Sequence, residues 1–373
     1  MTKINSCVAG DKPKAVGVIF QDENGKKHEA VLVNDGHSEV IMSSGTIGTP
    51  QLLMLSGIGP KAELQKLKIP MVLDNPFVGK GLVDNPMNTV FVPSNRPISQ
   101  TLIETVGITK MGVYIEASSG FSQSGNSIHC HHGIMSAESE GINIVEHIGI
   151  LNNYFLHFEM SVIGQLTTIP PKQRSSKAIK DFIENKRDIP VEAFKGGFIL
   201  SKVADPWSVG ELKLNNTNVN DNPVITFNYF SHPYDLERCV KGIRLAIKVV
   251  QSPHFTNYTL SDRKSTEKLL NLTVKANVNF VPKHPNDTTS IEQFCKDTVI
   301  TIWHYHGGCR VGRVVSPDYK VLGVDRLRVV DSSTFDESPG TNPQATVMMM
   351  GRYMGQKILR DRGGKLAEDY IKN

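Results

Sequence analysis

The chain has 373 residues, 39% hydrophobic and 21% charged, with 41 basic against 37 acidic side chains and a formal net charge of +4. This is the composition of a folded globular protein of about two domains, not of a disordered or fibrous chain. No Lys/Arg cluster recurs with interleaved aromatics, which excludes the usual nucleic-acid footprint, and no run approaches the ~20 apolar residues that span a bilayer. The most apolar stretch, His147 to Gly164, is interrupted by Asn152, Asn153, His157 and Glu159 and is assigned to a core. Five cysteines (Cys7, Cys130, Cys239, Cys295, Cys309) form an odd set without CxxC spacing, no disulfide framework, with room for one pair such as Cys295–Cys309. Glycosylation patterns at Asn215, Asn257, Asn271 and Asn286 are close to chance frequency. The opening residues contain no apolar signal segment and lead directly into a strand-like stretch, as though a domain had begun earlier.

In chain order, Lys14 to Phe20 and His28 to Val33 flank Asn24-Gly25 and predict a β-hairpin, since that pair supplies the positive φ a tight turn needs. Glu39 to Ser43 predicts a buried strand. Thr49-Pro50 and Gly59-Pro60 predict two helix starts, the first helix ending at Ser56-Gly57 and the second showing Leu64 and Leu67 on one face. Asn75 to Pro86, rich in Gly, Pro and Asn, is a plausible boundary. From Met87 to about Val299 the pattern changes to strand runs (Gly112 to Glu116, Gly197 to Val203) and a hairpin (Glu211 to Leu214 with Val224 to Tyr229). The helix Pro233 to Gln251 follows, with Leu236, Val240, Ile243, Ile247 and Val250 at helical spacing. This middle part predicts a mainly antiparallel sheet with helices on one side. Leu327 to Val330 returns to α/β logic as a short buried strand. Asn342-Pro343 then opens a helix to about Leu359 whose first turns, apolar all round, place its start deep inside the protein.

Two constellations carry chemistry. The strand end Val330-Asp331-Ser332 and the helix start Asn342-Pro343-Gln344 form the kind of crevice where α/β proteins bind ligands, because helix N-termini present unpaired N–H groups to phosphates or electron-rich rings. Plain capping by Asp331 and Asn342 is the competing reading. In Thr301 to Cys309 (TIWHYHGGC), His304 and His306 share a face if the segment is a strand, and Gly307-Gly308 marks a close backbone approach. A zinc pair, a hydrogen-bonded core histidine and a general base are all open for these imidazoles, although no ligand trio completes a metal site nearby. The cluster His129, Cys130, His131, His132 is a weaker metal candidate, since neighbours on a strand point opposite ways. No G-x-G-x-x-G, P-loop or G-x-S-x-G occurs.

The run Gly45 to Pro60 (GTIGTPQLLMLSGIGP), with Val78 to Leu82, Asp84-Asn85-Pro86, Trp207 to Leu214, Pro223 to Phe230, Asp235, Thr301 to Gly312 and Leu327 to Gly351, resembles the glucose–methanol–choline (GMC) flavin oxidoreductases, within them the plant HOTHEAD-like branch. Mandelonitrile lyases are the next neighbours. The resemblance implies an α/β plus α+β fold: an incomplete, Rossmann-like FAD-binding domain with an antiparallel-sheet substrate domain, divided as 1–88, 89–300 and 301–373, the last a return segment of the flavin domain. It implies FAD as cofactor and a small-molecule alcohol as substrate, with long-chain ω-hydroxy fatty acids for this branch, oxidised to a carbonyl by hydride transfer. His304 matches the catalytic histidine, and Asn342 the second active-site position, where an amide can hydrogen-bond the alkoxide but cannot act as a base. Trp303, Asp331, Ser332, Asn342, Pro343 and Gln344 match the cofactor-binding positions; no metal is implied. A hydroxynitrile lyase, which carries His at position 342, and an inactive truncated product are the rivals. Secretory or extracellular localisation is implied by full-length relatives. The dinucleotide fingerprint is not in this sequence, so the chain purified alone is expected to carry little or no flavin, measured by its visible absorbance against protein concentration, and Lys14 to Phe20 is expected to be left as an exposed edge strand.

Overall fold

The structure, a computed structural model, describes residues 3–9, 12–94, 106–118, 196–255 and 290–363. The His129–His132 cluster and the stretch His147 to Gly164 lie outside the described residues. The chain divides into two compact units, Met1–Asn85 with Ala204–His232 and Ile302–Asn373, and Pro86–Val203 with Pro233–Thr301.

In the first unit, β1 (Lys3–Ala9), β2 (Lys12–Gln21) and β3 (Lys27–Val31) form an antiparallel sheet with β2 in the middle. The hairpin joins β2 to β3 with Gly17 opposite Val31 and Gln21 opposite Lys27, turning through Gly25 at φ 80°. The expected exposed edge at Lys14 to Phe20 is therefore corrected: β1, whose mixed polar and apolar letters hide a strand, pairs with it from Lys3 opposite Ile19 to Ala9 opposite Lys12.

The apolar run at Glu39 to Ser43 gives β4 (Val40–Met42), which leads into α1 (Gly45–Leu55). This helix begins five residues before the Thr49-Pro50 start read from sequence, with Ser44 at its cap position and Gly45 first in the helix. The reason is that its first N–H groups find acceptors elsewhere: Gly45 N donates to Asp331 Oδ2 at 3.0 Å and Ser44 N to Thr49 Oγ1 at 3.1 Å. After α1 come β5 (Ile58–Gly59), α2 (Lys61–Lys66), β6 (Leu73–Asp74) and β7 (Lys80–Leu82), with β5 and β6 paired in parallel. Leu52, Leu53, Leu55 and Leu64 bury themselves in one core with Met42, Val314, Val315 and Leu327.

The second unit holds an antiparallel sheet in the order β8 (Met87–Pro93), β11 (Gly196–Val203), β10 (Val113–Ser118), β9 (Val106–Ile108). Against it lies α3 (Pro233–Gln251), whose buried face is Asp235, Arg238, Cys239, Gly242, Ile243, Ala246, Ile247 and Val250. Only glycine fits at position 242, where a Cβ would stand 2.3 Å from Ser201 Oγ and 2.9 Å from Val113 Cγ1. The alternate residues Tyr114, Glu116 and Lys202 point to the other face of the sheet. There Lys202 is fully buried in an ion pair with Glu116, 5.0 Å from the Tyr114 ring, and burial pushes its pKa down to about 7.

The remaining strands, β12 (Gly210–Lys213), β13 (Val224–Thr226) and β14 (Leu327–Val329), belong to the first unit: β12 lies between β13 and β7, while β14 pairs in parallel with β4. The last two helices are α4 (Ile291–Thr298), capped by Ser290 Oγ accepting from Gln293 N, and α5 (Gln344–Asp361). The expectation that α5 starts deep inside the protein is corrected. Only Met350 and Met354 are buried, while Met348 is 68% and Met349 60% exposed. Apolar composition marks a face suited to burial, but the described residues cover just one side of this helix. Among the described residues no helix is long and apolar enough to cross a membrane.

The cysteine pairing also differs from the one suggested by sequence. Cys239 of α3 is bonded to Cys295 of α4, with Cα atoms 6.3 Å apart, and Cys309 is a free, buried thiol whose pKa is pushed up, first by burial and then by the nearby Asp331 charge. Asn88 braces this junction, donating from Nδ2 to the Cys295 carbonyl at 2.9 Å and to Thr298 Oγ1 at 2.8 Å. The cross-link closes a loop of sequence separation 56. Replacing both cysteines by serine, or reducing the native chain, should lower stability by about 2–4 kcal/mol, read as matching falls in Tm with and without reductant.

Candidate active site

The site is built around the end of β14. Beyond Val329 the chain leaves the strand and Asp331 caps a short 3-10 turn, Ser332–Thr334, its Oδ1 accepting from Ser333 N at 2.8 Å. The same carboxylate reaches α1, where Oδ2 accepts from Gly45 N and from Thr49 Oγ1 at 2.5 Å. One buried side chain thus caps both elements, an N-cap shared across 286 residues of sequence.

The second constellation is joined to the first by backbone hydrogen bonds. Gly307 N donates to the Ser332 carbonyl (3.0 Å), Cys309 N to that of Ser333 (2.8 Å) and Val311 N to that of Thr334 (3.1 Å). On its other side, Val83 and His306 exchange N–H···O bonds, both 2.9 Å, and Gly79 N donates to the Gly308 carbonyl at 2.8 Å. Thr46 Oγ1 closes the third side, donating to the Tyr305 carbonyl at 3.0 Å and lying 2.8 Å from Ser332 Oγ. The segment from Tyr305 to Val311 is therefore a filled slot between Gly79–Val83 and Ser332–Thr334. The close approach expected at Gly307 is to Gly81: a Cβ on Gly307, which has φ 82°, would lie 2.2 Å from the Gly81 carbonyl oxygen.

At the mouth of this slot stand Trp303 and His304. Trp303 is 48% exposed and adopts φ 61°, a left-handed conformation that costs a bulky residue about 1–3 kcal/mol. The turn is held by Asp84, a buried carboxylate whose Oδ1 accepts from His304 N at 2.9 Å and whose Oδ2 accepts from the Tyr229 hydroxyl at 2.6 Å. Tyr305 stacks on Phe227 with ring centroids 5.1 Å apart, and Phe227 stacks on Tyr229 at 5.4 Å, so the aromatic column and the carboxylate fix the same stretch of backbone.

His304 and His306 do not share the face of a strand. The His304 ring is half-buried, whereas His306 is buried with Nδ1 3.1 Å from the His304 carbonyl. Burial lowers the His306 pKa more than that hydrogen bond raises it, and Arg310 lowers it further. This arrangement is the hydrogen-bonded core histidine among the three readings. Among the described residues no group of three or more His, Cys, Asp or Glu could hold a metal ion.

Asn342, Pro343 and Gln344 form the start of α5, as the sequence indicates, but Asn342 does not cap it. The helix has Pro343 at its N-cap, no side-chain cap and no acidic residue in its first turn, and both Asn342 and Gln344 are exposed. No capping side chain satisfies its first N–H groups and no carboxylate in its first turn offsets the positive end of its dipole. Asp84, Tyr229 and Thr46 were not singled out as site residues from sequence. The one available signal for Asp84 is its place in the Gly/Pro-rich crossing Val78 to Pro86, where a buried carboxylate is out of character.

Two family models, both described as GMC oxidoreductase, match residues 2–87 and 206–351. The chain belongs to the GMC oxidoreductase family. It is 60% identical to Protein HOTHEAD of Arabidopsis thaliana over 98% of its own length, and 37% identical to an (R)-mandelonitrile lyase-like protein of the same plant over 95%. It spans 57% and 54% of those two relatives. Among solved structures it is similar to pyridoxine 4-oxidase from Mesorbium loti, with a TM-score of 0.64 and 15% identity over 95% of this chain and 56% of that one. The expected fold, mixed α/β with antiparallel sheets, is that of the family.

In this GMC chain Asp84 is predicted to hold the His304 turn. Asp84→Ala removes both acceptors at once and should cost about 3 kcal/mol or more, whereas Tyr229→Phe, which removes one charge-assisted bond, should cost about 1.5–3 kcal/mol, both measured by urea unfolding.

Proposed function

We propose that this chain supplies the active-site portion of an FAD-dependent oxidoreductase acting on the CH–OH group of a donor. The observation that supports it most is the joining of the His304 segment to the Asp331–Thr334 strand end within the same unit as the uncapped start of α5. The residues present suit the ring end of the cofactor. A helix N-terminus with no capping side chain and no carboxylate in its first turn favours an electron-rich ring, and the exposed Trp303 is a flat aromatic surface suited to lie against one. Ser332, with Asp331 fixing it in place, would meet the chain beyond the ring. For the phosphates no glycine-rich strand-to-helix turn occurs in the sequence.

When bound, FAD supplies the hydride acceptor. The protein's part is proton management: His304 takes the hydroxyl proton of the donor as a neutral imidazole, which strengthens the tendency of the carbinol carbon to release hydride. Asn342 donates an amide N–H to the developing alkoxide, stabilising it without competing for the proton. The aromatic column under Tyr305 keeps the His304 backbone from yielding. Long-chain ω-hydroxy fatty acids are the substrate class implied by the likeness to HOTHEAD, and the secretory pathway or extracellular space is the compartment implied by full-length relatives, with which the Cys239–Cys295 disulfide agrees.

A hydroxynitrile lyase is the second reading, supported by the likeness to the mandelonitrile lyase-like protein. Asn342 weighs against it, since an amide cannot shuttle the proton to cyanide. In a flavin-loaded preparation, a long-chain ω-hydroxy acid should bleach the flavin anaerobically. His304→Ala should slow that step about 10²–10⁴-fold, and Asn342→Ala less. Cyanide release from mandelonitrile without flavin bleaching would overturn the oxidoreductase reading.

A further inference from the structure

Within the first unit a cavity of about 240 Å³ opens beside β7, lined by Phe77, Lys80, Gly81, Arg310, Arg313 and Asp336. Three cations face one carboxylate there, and their partners differ. Lys80 is neutralised from outside the cavity by Glu211, which also binds Lys213. Arg310 is fixed on the backbone, donating from Nε (3.0 Å) and Nη2 (2.8 Å) to the Gly81 carbonyl, and its Nη1 reaches Asp336 only at 3.4 Å. Arg313 has no carboxylate within 4.0 Å among the described residues; its guanidinium lies over the Phe77 ring, 5.1 Å from the centroid.

The cavity is prearranged. Buried Asn75 accepts from Phe77 N at Oδ1 (3.0 Å) and donates from Nδ2 to the Arg313 carbonyl (3.3 Å), so one amide sets both the ring and the guanidinium. Arg313 N donates to the Arg310 carbonyl at 3.2 Å, which ties the two arginines into one turn. A stacked guanidinium keeps its in-plane N–H edge for a ligand, and that edge matches a two-oxygen anion.

We propose that this cavity is a binding site for a small oxyanion, a carboxylate or a phosphate, held by the edge of Arg313 and by Nη1 of Arg310, with Phe77 as the wall for a flat body attached to it. It lies apart from His304 and Asn342 in the chain's chemistry, because neither lines it.

The test is isothermal titration of the purified chain, at low ionic strength, with inorganic phosphate and separately with benzoate. Saturable one-to-one binding of either anion is expected, and which one binds identifies the natural chemistry. Arg313→Gln should weaken it about tenfold or more, the loss of a charge-assisted pair. Arg313→Lys should fall between, because it keeps the charge without the fork. Lys80→Gln should change it by less than about threefold, its charge being already offset by Glu211. Circular dichroism of each variant verifies folding. Absence of saturable binding by both anions, or binding unchanged in a folded Arg313→Gln chain, would overturn the assignment.

Discussion

One carboxylate organises the site. Asp331 caps the turn after β14 and, across 286 residues, the start of α1. With Thr49 sharing it, the donors of two helical starts and the end of a parallel strand converge on two oxygen atoms. The same carboxylate thus satisfies donors at the start of α1 and in the Ser332–Thr334 turn, which ties the two elements together. The carbonyls of that turn then receive Gly307, Cys309 and Val311, so the geometry of the histidine segment is inherited from the same anchor.

The opposite flank of the histidine segment is secured by different physics. Gly79 and Val83 hold it by backbone bonds, while Asp84 and the aromatic column Tyr305–Phe227–Tyr229 hold the bend at Trp303. A bulky residue at positive φ persists only where its surroundings over-determine it. Here a charge-assisted bond on one peptide N–H and a stacked ring on the next residue do so. Flexibility at the imidazole is thereby confined to its side-chain torsions.

Much of this was legible from residues alone. Asn24-Gly25 marks the hairpin turn, the helical spacing of α3 buries Ile243, Ile247 and Val250 while Leu236 and Val240 are only half-buried, and the short apolar runs at β4 and β14 are the parallel pair. The two chemically marked segments, TIWHYHGGC and the stretch after Val330, could each be found, but not their lacing to one another, since hydrogen bonds between distant carbonyls and N–H groups leave no trace in side-chain identity. The early start of α1 was hidden for the same reason: its cap comes from another part of the chain. β1 escaped because its letters lack clean alternation. Cys239 and Cys295 could not be paired from spacing, since α3 and α4 meet by tertiary packing. α5 shows a different failure. Its apolar letters state a need for cover, and the sequence does not say what provides it.

That helix sets apart two kinds of methionine. Met350 and Met354 are shielded, whereas Met348 and Met349 are exposed. Sulfur at the surface is the first to meet a peroxide, and its sulfoxide is polar and bulkier than the thioether. Oxidation of Met348 and Met349 would therefore turn the greasy side of α5 into a wettable one.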